Sequence, residues 1–119
     1  MGTFRVQIGV GNPYGGDFTP VSALVDTGAT HSMMPESLLI ALRLAPDERI
    51  RFRIADGNRV EYDVGEARFQ IGGKSRACTV IFGPEDKYLL GATTLEVFNL
   101  MVDPSAPNPR LVPLEELDL

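Results

Sequence analysis

Apolar and polar residues alternate along most of this chain with a period of two, the spacing of strands that bury one face. Phe4, Val6, Ile8 and Val10 alternate with Arg5, Gln7 and Gly9, and the turn formers Asn12-Pro13-Tyr14-Gly15-Gly16 follow. Val21, Leu24 and Val25 predict a second, buried strand that forms a hairpin with the first. At Pro35 the spacing changes. Pro35-Glu36 and leucines three and four residues apart predict a helix from Pro35 to Leu44, ended by Ala45-Pro46-Asp47. Alternation then returns, with Ile50, Phe52 and Ile54 on one side and Arg49, Arg51 and Arg53 on the other. Asp56-Gly57-Asn58 turns the chain and Val60, Tyr62 and Val64 carry it back, which predicts a hairpin with an Asp-Gly tip.

Ala67, Phe69 and Ile71 continue this pattern to a turn at Gly72-Gly73-Lys74, and Cys78, Val80 and Phe82 predict a strand ended by Gly83-Pro84. Tyr88-Leu89-Leu90 is a short apolar run into Gly91. From Ala92 to about Val97 a short helix is expected, with Thr93 and Glu96 at capping-box spacing. Phe98, Leu100 and Val102 fit a last core strand and Leu111 to Leu114 a terminal one. Pro104, Pro107 and Pro109 mark irregular chain between them, and Glu115 to Leu119 a loose tail. The fold class is all-β: mostly strand, with two short helices.

The length of 119 residues fits one domain, 1–119. A hydrophobic share of 44% with 23% charged residues is normal for a soluble globular protein. No long apolar run, secretory leader or myristoylation signal is read, Val6 standing where the last would need Ser or Thr, so no membrane partner is expected. Cys78, a lone cysteine, cannot close an internal disulfide, and a reducing, cytoplasmic location is the simpler expectation. A net charge of −5 argues against a nucleic-acid partner.

Val21 to Pro35 departs from the plain pattern. A buried strand usually releases its backbone into a polar surface turn, yet Asp26-Thr27-Gly28 is followed at once by Ala29, Met33 and Met34. Asp26 is therefore expected to sit deep, and a carboxylate at depth is paired, hydrogen-bonded or functional. Asp-Thr-Gly alone also fits a β-turn. The later elements decide between the two readings: an Ala55-Asp56-Gly57 hairpin tip follows, and Leu89-Leu90-Gly91 then opens a short helix. In this order the chain resembles the retropepsin-like aspartic proteases, single-domain relatives of pepsin found in retroviruses and in many bacteria. The resemblance covers roughly residues 4–102, with a proline-rich C-terminal segment, 103–119, beyond it. It implies a closed β-barrel that corresponds to half of a pepsin-type bilobal architecture.

Peptide hydrolysis by water needs a base for the water and an acid for the carbonyl. One carboxyl group cannot serve as both at once. Two about 3 Å apart can, because repulsion lets only one ionise and the pair shares a proton; aspartic proteases are the type example. Asp-Thr-Gly occurs once here, since Asp17, Asp63, Asp86 and Asp103 lack the following Thr/Ser-Gly. The second carboxylate is therefore expected from a second copy, in a homodimer with one site on its two-fold axis.

By the resemblance, Asp26, Thr27 and Gly28 are the catalytic set. Thr27 would hydrogen-bond the opposite loop, and Gly28 would let backbone N–H groups approach the carboxylates. Ala29 and Thr30 would line the cleft, and Ala55, Asp56, Gly57 and Asn58 would form a flap over a peptide or protein substrate read as an added strand. Ser32 takes a structural role, and Leu90, Gly91 and Ala92 lie behind the loop.

Three departures stand out. Viral members carry acidic residues where this chain has Thr30 and His31; they lack the Pro35–Leu44 helix; and Pro107, Pro109 and Pro113 limit the ladder by which chain ends stitch the viral dimer. His31 reads as a solvated loop residue, with substrate contact as the second reading, and Cys78 as inert packing. Arg49, Arg51 and Arg53 read as a solvated strand face, with a bias of the cleft toward acidic peptides as the other possibility. No second His or Cys lies at ligand spacing, so neither metal nor cofactor is expected. The expected function is an aspartic endopeptidase. The alternative is a non-catalytic module that uses the same fold for dimerisation or peptide binding.

Overall fold

A computed structural model describes residues 4–105 and 108–114. β1 (Phe4–Gly11) and β2 (Thr19–Val25) form the expected antiparallel hairpin, with Phe4 opposite Val25. The chain then enters a strand that the pattern did not announce, β3 (Ser32–Pro35), and passes directly into helix α1 (Glu36–Ala41). β4 (Glu48–Arg53) and the 13-residue β5 (Arg59–Ile71) make the second hairpin, and β6 (Lys74–Gly83) returns along β5. Gly72 and Gly73 both have positive φ, as the two-residue turn between β5 and β6 requires. β7 (Leu89–Leu90) leads into α2 (Ala92–Val97), and β8 (Leu100–Asp103) pairs with β9 (Arg110–Pro113) in a separate two-stranded sheet. The tail from Glu115 and Pro107 lie outside the described residues. Among those described, no helix is long and apolar enough to cross a membrane.

The main sheet closes on itself. Its order is β1-β2-β7-β3-β6-β5, and β5 returns to β1 through Gly9–Gln70, Val10–Phe69 and Gly11–Arg68. The expected all-β fold with two short helices is thus a closed six-stranded barrel. β4 lies outside the ring, on the free edge of β5. β2 and β3 are consecutive in the chain yet not neighbours, because β7 lies between them, parallel to β2 and antiparallel to β3. That insertion positions the site described below.

Val10, Ala23, Met34, Leu39, Phe69 and Leu90 fill the interior with no exposed surface, the larger of them contributing about 1.5–3 kcal/mol each by leaving water. Within β5 the alternation changes face instead of simply continuing. Val60, Tyr62 and Val64 share a face with Ile50 and Phe52 of β4, whereas Ala67 and Phe69 point into the barrel. The switch falls at buried Gly65, where a Cβ would meet the Phe82 ring and the Ala45 carbonyl, each at 3.1 Å. α1 is shorter than the leucine spacing suggests. It stops before Pro46 because Arg43 takes a left-handed conformation (φ 64°), with the Leu44 N–H on the Leu39 carbonyl and the Arg43 N–H on that of Ile40. Leu39 packs into the core, while Ile40 faces solvent.

Candidate active site

The loop from Asp26 to His31 joins two strands that do not touch, so its backbone needs partners from elsewhere. They come from β7 and the start of α2. The Asp26 N–H donates to the Leu90 carbonyl at 3.0 Å, and inside the loop the Ala29 N–H donates to the Asp26 carbonyl at 3.1 Å. The Ala92 and Thr93 N–H groups donate to the carbonyls of Ala29 and Thr30 at 2.8 and 2.9 Å. These are first-turn donors of α2, which a helix cannot satisfy internally. The capping box expected from Thr93 and Glu96 does not form: Gly91 is the N-cap, and α2 has no side-chain cap. Carbonyls of the Asp26 loop replace the cap, so the helix start and the loop fix each other.

Two features lock this junction. A Cβ at Gly91 would lie 2.6 Å from both the carbonyl carbon and the oxygen of His31, so the crossing is close enough to require glycine. Beside it, the Ser32 and Thr94 hydroxyls share a 2.6 Å hydrogen bond and the Gly91 N–H donates to Ser32 Oγ at 3.0 Å. Ser32 and Thr94 are the buried polar pair of the interior. Ser32 has the structural role expected of it. Thr94 carried no sequence signal of its own, because its partner lies on a distant strand.

Within the loop, the Gly28 N–H donates to Asp26 Oδ1 at 3.0 Å. Asp26 is half-buried in the single chain, not deep as expected: β2 ends at Val25, and the loop carries the carboxylate to the rim of the barrel. Thr27, Gly28 and Thr30 are exposed and Ala29 is half-buried. His31 corrects another expectation. It is half-buried, and its Nδ1 is enclosed without a hydrogen-bond partner among the described residues, so it is not a freely solvated side chain.

Ala55, Asp56, Gly57 and Asn58 lie together at the tip of the β4–β5 hairpin, all exposed. The tip closes by the Gly57 N–H on the Ile54 carbonyl and the Ile54 N–H on that of Asn58, both 2.9 Å, with Gly57 at φ 88°. The Asp56 carboxylate accepts the N–H and side-chain amide of Asn58, each at 2.9 Å. Asp56 is therefore occupied in shaping the turn. Phe52 and Tyr62 stack at a tilt on the hairpin's apolar face, ring centroids 6.3 Å apart. Cys78 is buried on β6, and burial pushes its thiol up to about 11, the Thr94 hydroxyl offsetting part of the shift. A thiol so placed is a packing group.

Comparison with known proteins agrees with this architecture. The family model described as aspartyl protease matches residues 6–94, about three-quarters of the chain. No curated protein matches. Among solved structures, the solution structure of the simian foamy virus (mac) protease superposes with a TM-score of 0.60. It is 21% identical, and the match covers 79% of this chain and 93% of that one, a likeness of fold. Barrel, motif order and family match agree: the chain belongs to the aspartyl protease family and has the retropepsin-like fold.

Proposed function

We propose that this protein is an aspartic endopeptidase that works as a homodimer, with water activated between the Asp26 carboxylates of two copies. The observation that carries the proposal is the state of Asp26. Its backbone is clamped by β7, its Oδ1 is held by Gly28, and Oδ2 has no hydrogen-bond partner among the described residues. A half-buried carboxylate held in place with one oxygen uncommitted is suited to share a proton with a second carboxylate. Exposed Thr27 beside it is free to bond a second copy of the loop. In the dimer one Asp26 would take a proton from water as the other gives one to the carbonyl, and the roles would reverse as the amine leaves.

Two further features support the reading. Strand register sets half-buried Leu24, Leu89 and Met33 in one row on the barrel wall, continued by buried Ile81 and Val64. The apolar face of the β4–β5 hairpin continues from that row, which would give an extended peptide apolar contacts below and the backbone of Ala55 to Asn58 above. A second copy also has somewhere to dock. Val97, Met101 and Leu114 are exposed apolar residues at α2, β8 and the end of β9, and an isolated two-stranded sheet such as β8–β9 gains from further strands.

Asp26→Asn tests the reading. Wild-type protein should cleave members of a proteome-derived peptide library, with a bell-shaped pH profile whose limbs belong to the pair. The variant should keep the dimer, by sedimentation, and lose cleavage by roughly 10⁴-fold, the upper range for general acid–base catalysis. Undiminished hydrolysis by the Asn variant rejects the mechanism. An intact dimer that binds peptides and cleaves none, in either form, leaves the fold a binding module.

A further inference from the structure

The two faces of the β4–β5 hairpin differ in kind. One carries the apolar set; the other carries Arg49, Arg51 and Arg53 from β4 and Arg59, Glu61 and Asp63 from β5. Near the base the charges are matched. Arg49 reaches Glu61 at 3.2 Å and Asp63 at 3.0 Å, and Arg51 reaches Glu61 at 3.7 Å. Toward the tip the matching stops. Arg53 and Arg59 are direct cross-strand partners, the last pair before the turn, and both are exposed. Neither has a carboxylate within salt-bridge distance among the described residues. Of the acids near them in sequence, Asp56 has both oxygens committed to Asn58 and Glu61 is taken by Arg49 and Arg51.

Like charges directly opposite each other weaken a hairpin. Arg53 ends β4, the strand outside the barrel ring, and Arg59 opposite it begins β5, next to the proposed substrate-binding tip. A carboxylate placed between the two guanidinium groups would relieve the repulsion and form charge-assisted hydrogen bonds with both. We propose that Arg53 and Arg59 form an anion-reading site on the flap that takes an acidic side chain of a bound polypeptide. That side chain would lie outside the segment held in the cleft, and its docking would favour the ordered hairpin.

Charge selects the class of ligand. This face holds four arginines against two carboxylates, a local excess of +2 on a chain whose net charge is −5. A short acidic segment can meet the patch without approaching the rest of the surface. A long polyanion such as a nucleic acid would be repelled by that rest. The inference deepens the peptidase reading and rests on it for the peptide's path, but its test does not need turnover.

The test uses two fluorescent peptides of identical sequence, one with Glu at flanking positions and one with Gln there. Each is titrated by anisotropy against the Asp26→Asn protein and against the same protein carrying R53Q and R59Q. The Glu peptide should bind about tenfold tighter than the Gln peptide at low salt, and the advantage should shrink at high salt. In the R53Q/R59Q background the ratio of the two affinities should fall to near one. Equal affinities before those substitutions, or a Glu advantage that survives them, overturn the proposal. A single-stranded oligonucleotide that outcompetes the Glu peptide overturns it in favour of another ligand class. Wild-type protein that binds the Glu peptide by this rule yet cleaves nothing would refute the peptidase reading and leave the anion site standing.

Discussion

The Asp26 loop and the β4–β5 hairpin tip are both short turns between strands, and they are held in opposite ways. Besides two hydrogen bonds of its own, the loop is tied from outside, by Leu90, Ala92 and Thr93, and a buried hydroxyl pair braces it from below. The hairpin tip takes its bonds from within, Ile54 from Asn58, Gly57 from Ile54, and Asp56 with its near neighbour Asn58. One turn is thus part of the barrel's cooperative structure. The other can open without disturbing it. A site that must fix a carboxylate and also admit a polymer needs both kinds, and local stability should follow the difference.

The largest expected effect comes from Gly91→Ala. The new methyl would sit 2.6 Å from the backbone of His31, where no flexible side chain can move aside. The substitution should destabilise the fold by at least about 3 kcal/mol, beyond the usual cost of overpacking. Because the strained partner is the Asp26 loop itself, any folded fraction should also lose activity. Denaturant unfolding together with cleavage assays would check both. A variant of native stability would show that the loop tolerates displacement, and the contrast with the hairpin tip would then fail.

Thr94→Val comes next. It is close to isosteric, so it removes a hydroxyl with little change of shape and leaves Ser32 Oγ as acceptor to the Gly91 N–H alone. A buried polar group left partly unpaired costs about 1–3 kcal/mol, or roughly 5 °C in melting temperature per kcal/mol for a chain of this size. Ser32→Ala should cost a similar amount, and the double variant less than the sum of the two singles, because they share one interaction. Strict additivity would mean that the pair does not act as a unit.

How legible these regions were in the sequence follows the same division. Strands whose partners are near in the chain announced themselves: β1 and β2, then β4, β5 and β6, are successive antiparallel hairpins with clear alternation and glycine turns. The hairpin tip was readable because Asp56 and Gly57 determine it locally. β3 was not, since its four residues pair with Val80 to Gly83 and with Leu89, far along the chain. The capping-box spacing of Thr93 and Glu96 misled for a related reason. A local rule assumes that helix donors lack other partners, and here the carbonyls of Ala29 and Thr30 were waiting. His31 and the end of α1 at Arg43 likewise depend on tertiary surroundings that no short window contains.

Cys78 gives a smaller effect with a distinct pH signature. Its thiol is raised from 9.0 to about 11, chiefly by burial. The folded state therefore holds the proton where the unfolded chain has released it. The sign is fixed: stability is unaffected by this group below about pH 9 and declines as pH rises from about 9 to about 11. Cys78→Ala should flatten that part of the stability–pH curve, at the cost of a small cavity. At neutral pH the wild-type thiol should react with alkylating reagents only as fast as the barrel opens, well behind the exchange of the hairpin-tip amides.

The smallest global effect is expected at the hairpin tip. Gly57 has φ 88°, so alanine there is strained, yet nothing lies within 4 Å of its would-be Cβ. The penalty is conformational, about 1 kcal/mol, and falls on a turn whose bonds are its own. Gly57→Ala should therefore leave the melting temperature within a few degrees of wild type, while hydrogen exchange speeds up from Ile54 to Asn58 and stays unchanged at Asp26 and Ala29. Peptide cleavage should weaken mainly through KM, because the tip would spend less time in the shape that meets an extended chain. If exchange at Asp26 rises in step with the hairpin tip, the two turns are energetically coupled, and the division between a fixed loop and a free hairpin does not hold. The Gly91 variant supplies the reciprocal measurement: its faster exchange should spread over the loop, α2 and the barrel strands that unfold with them, leaving the hairpin tip, which opens by itself, as it was.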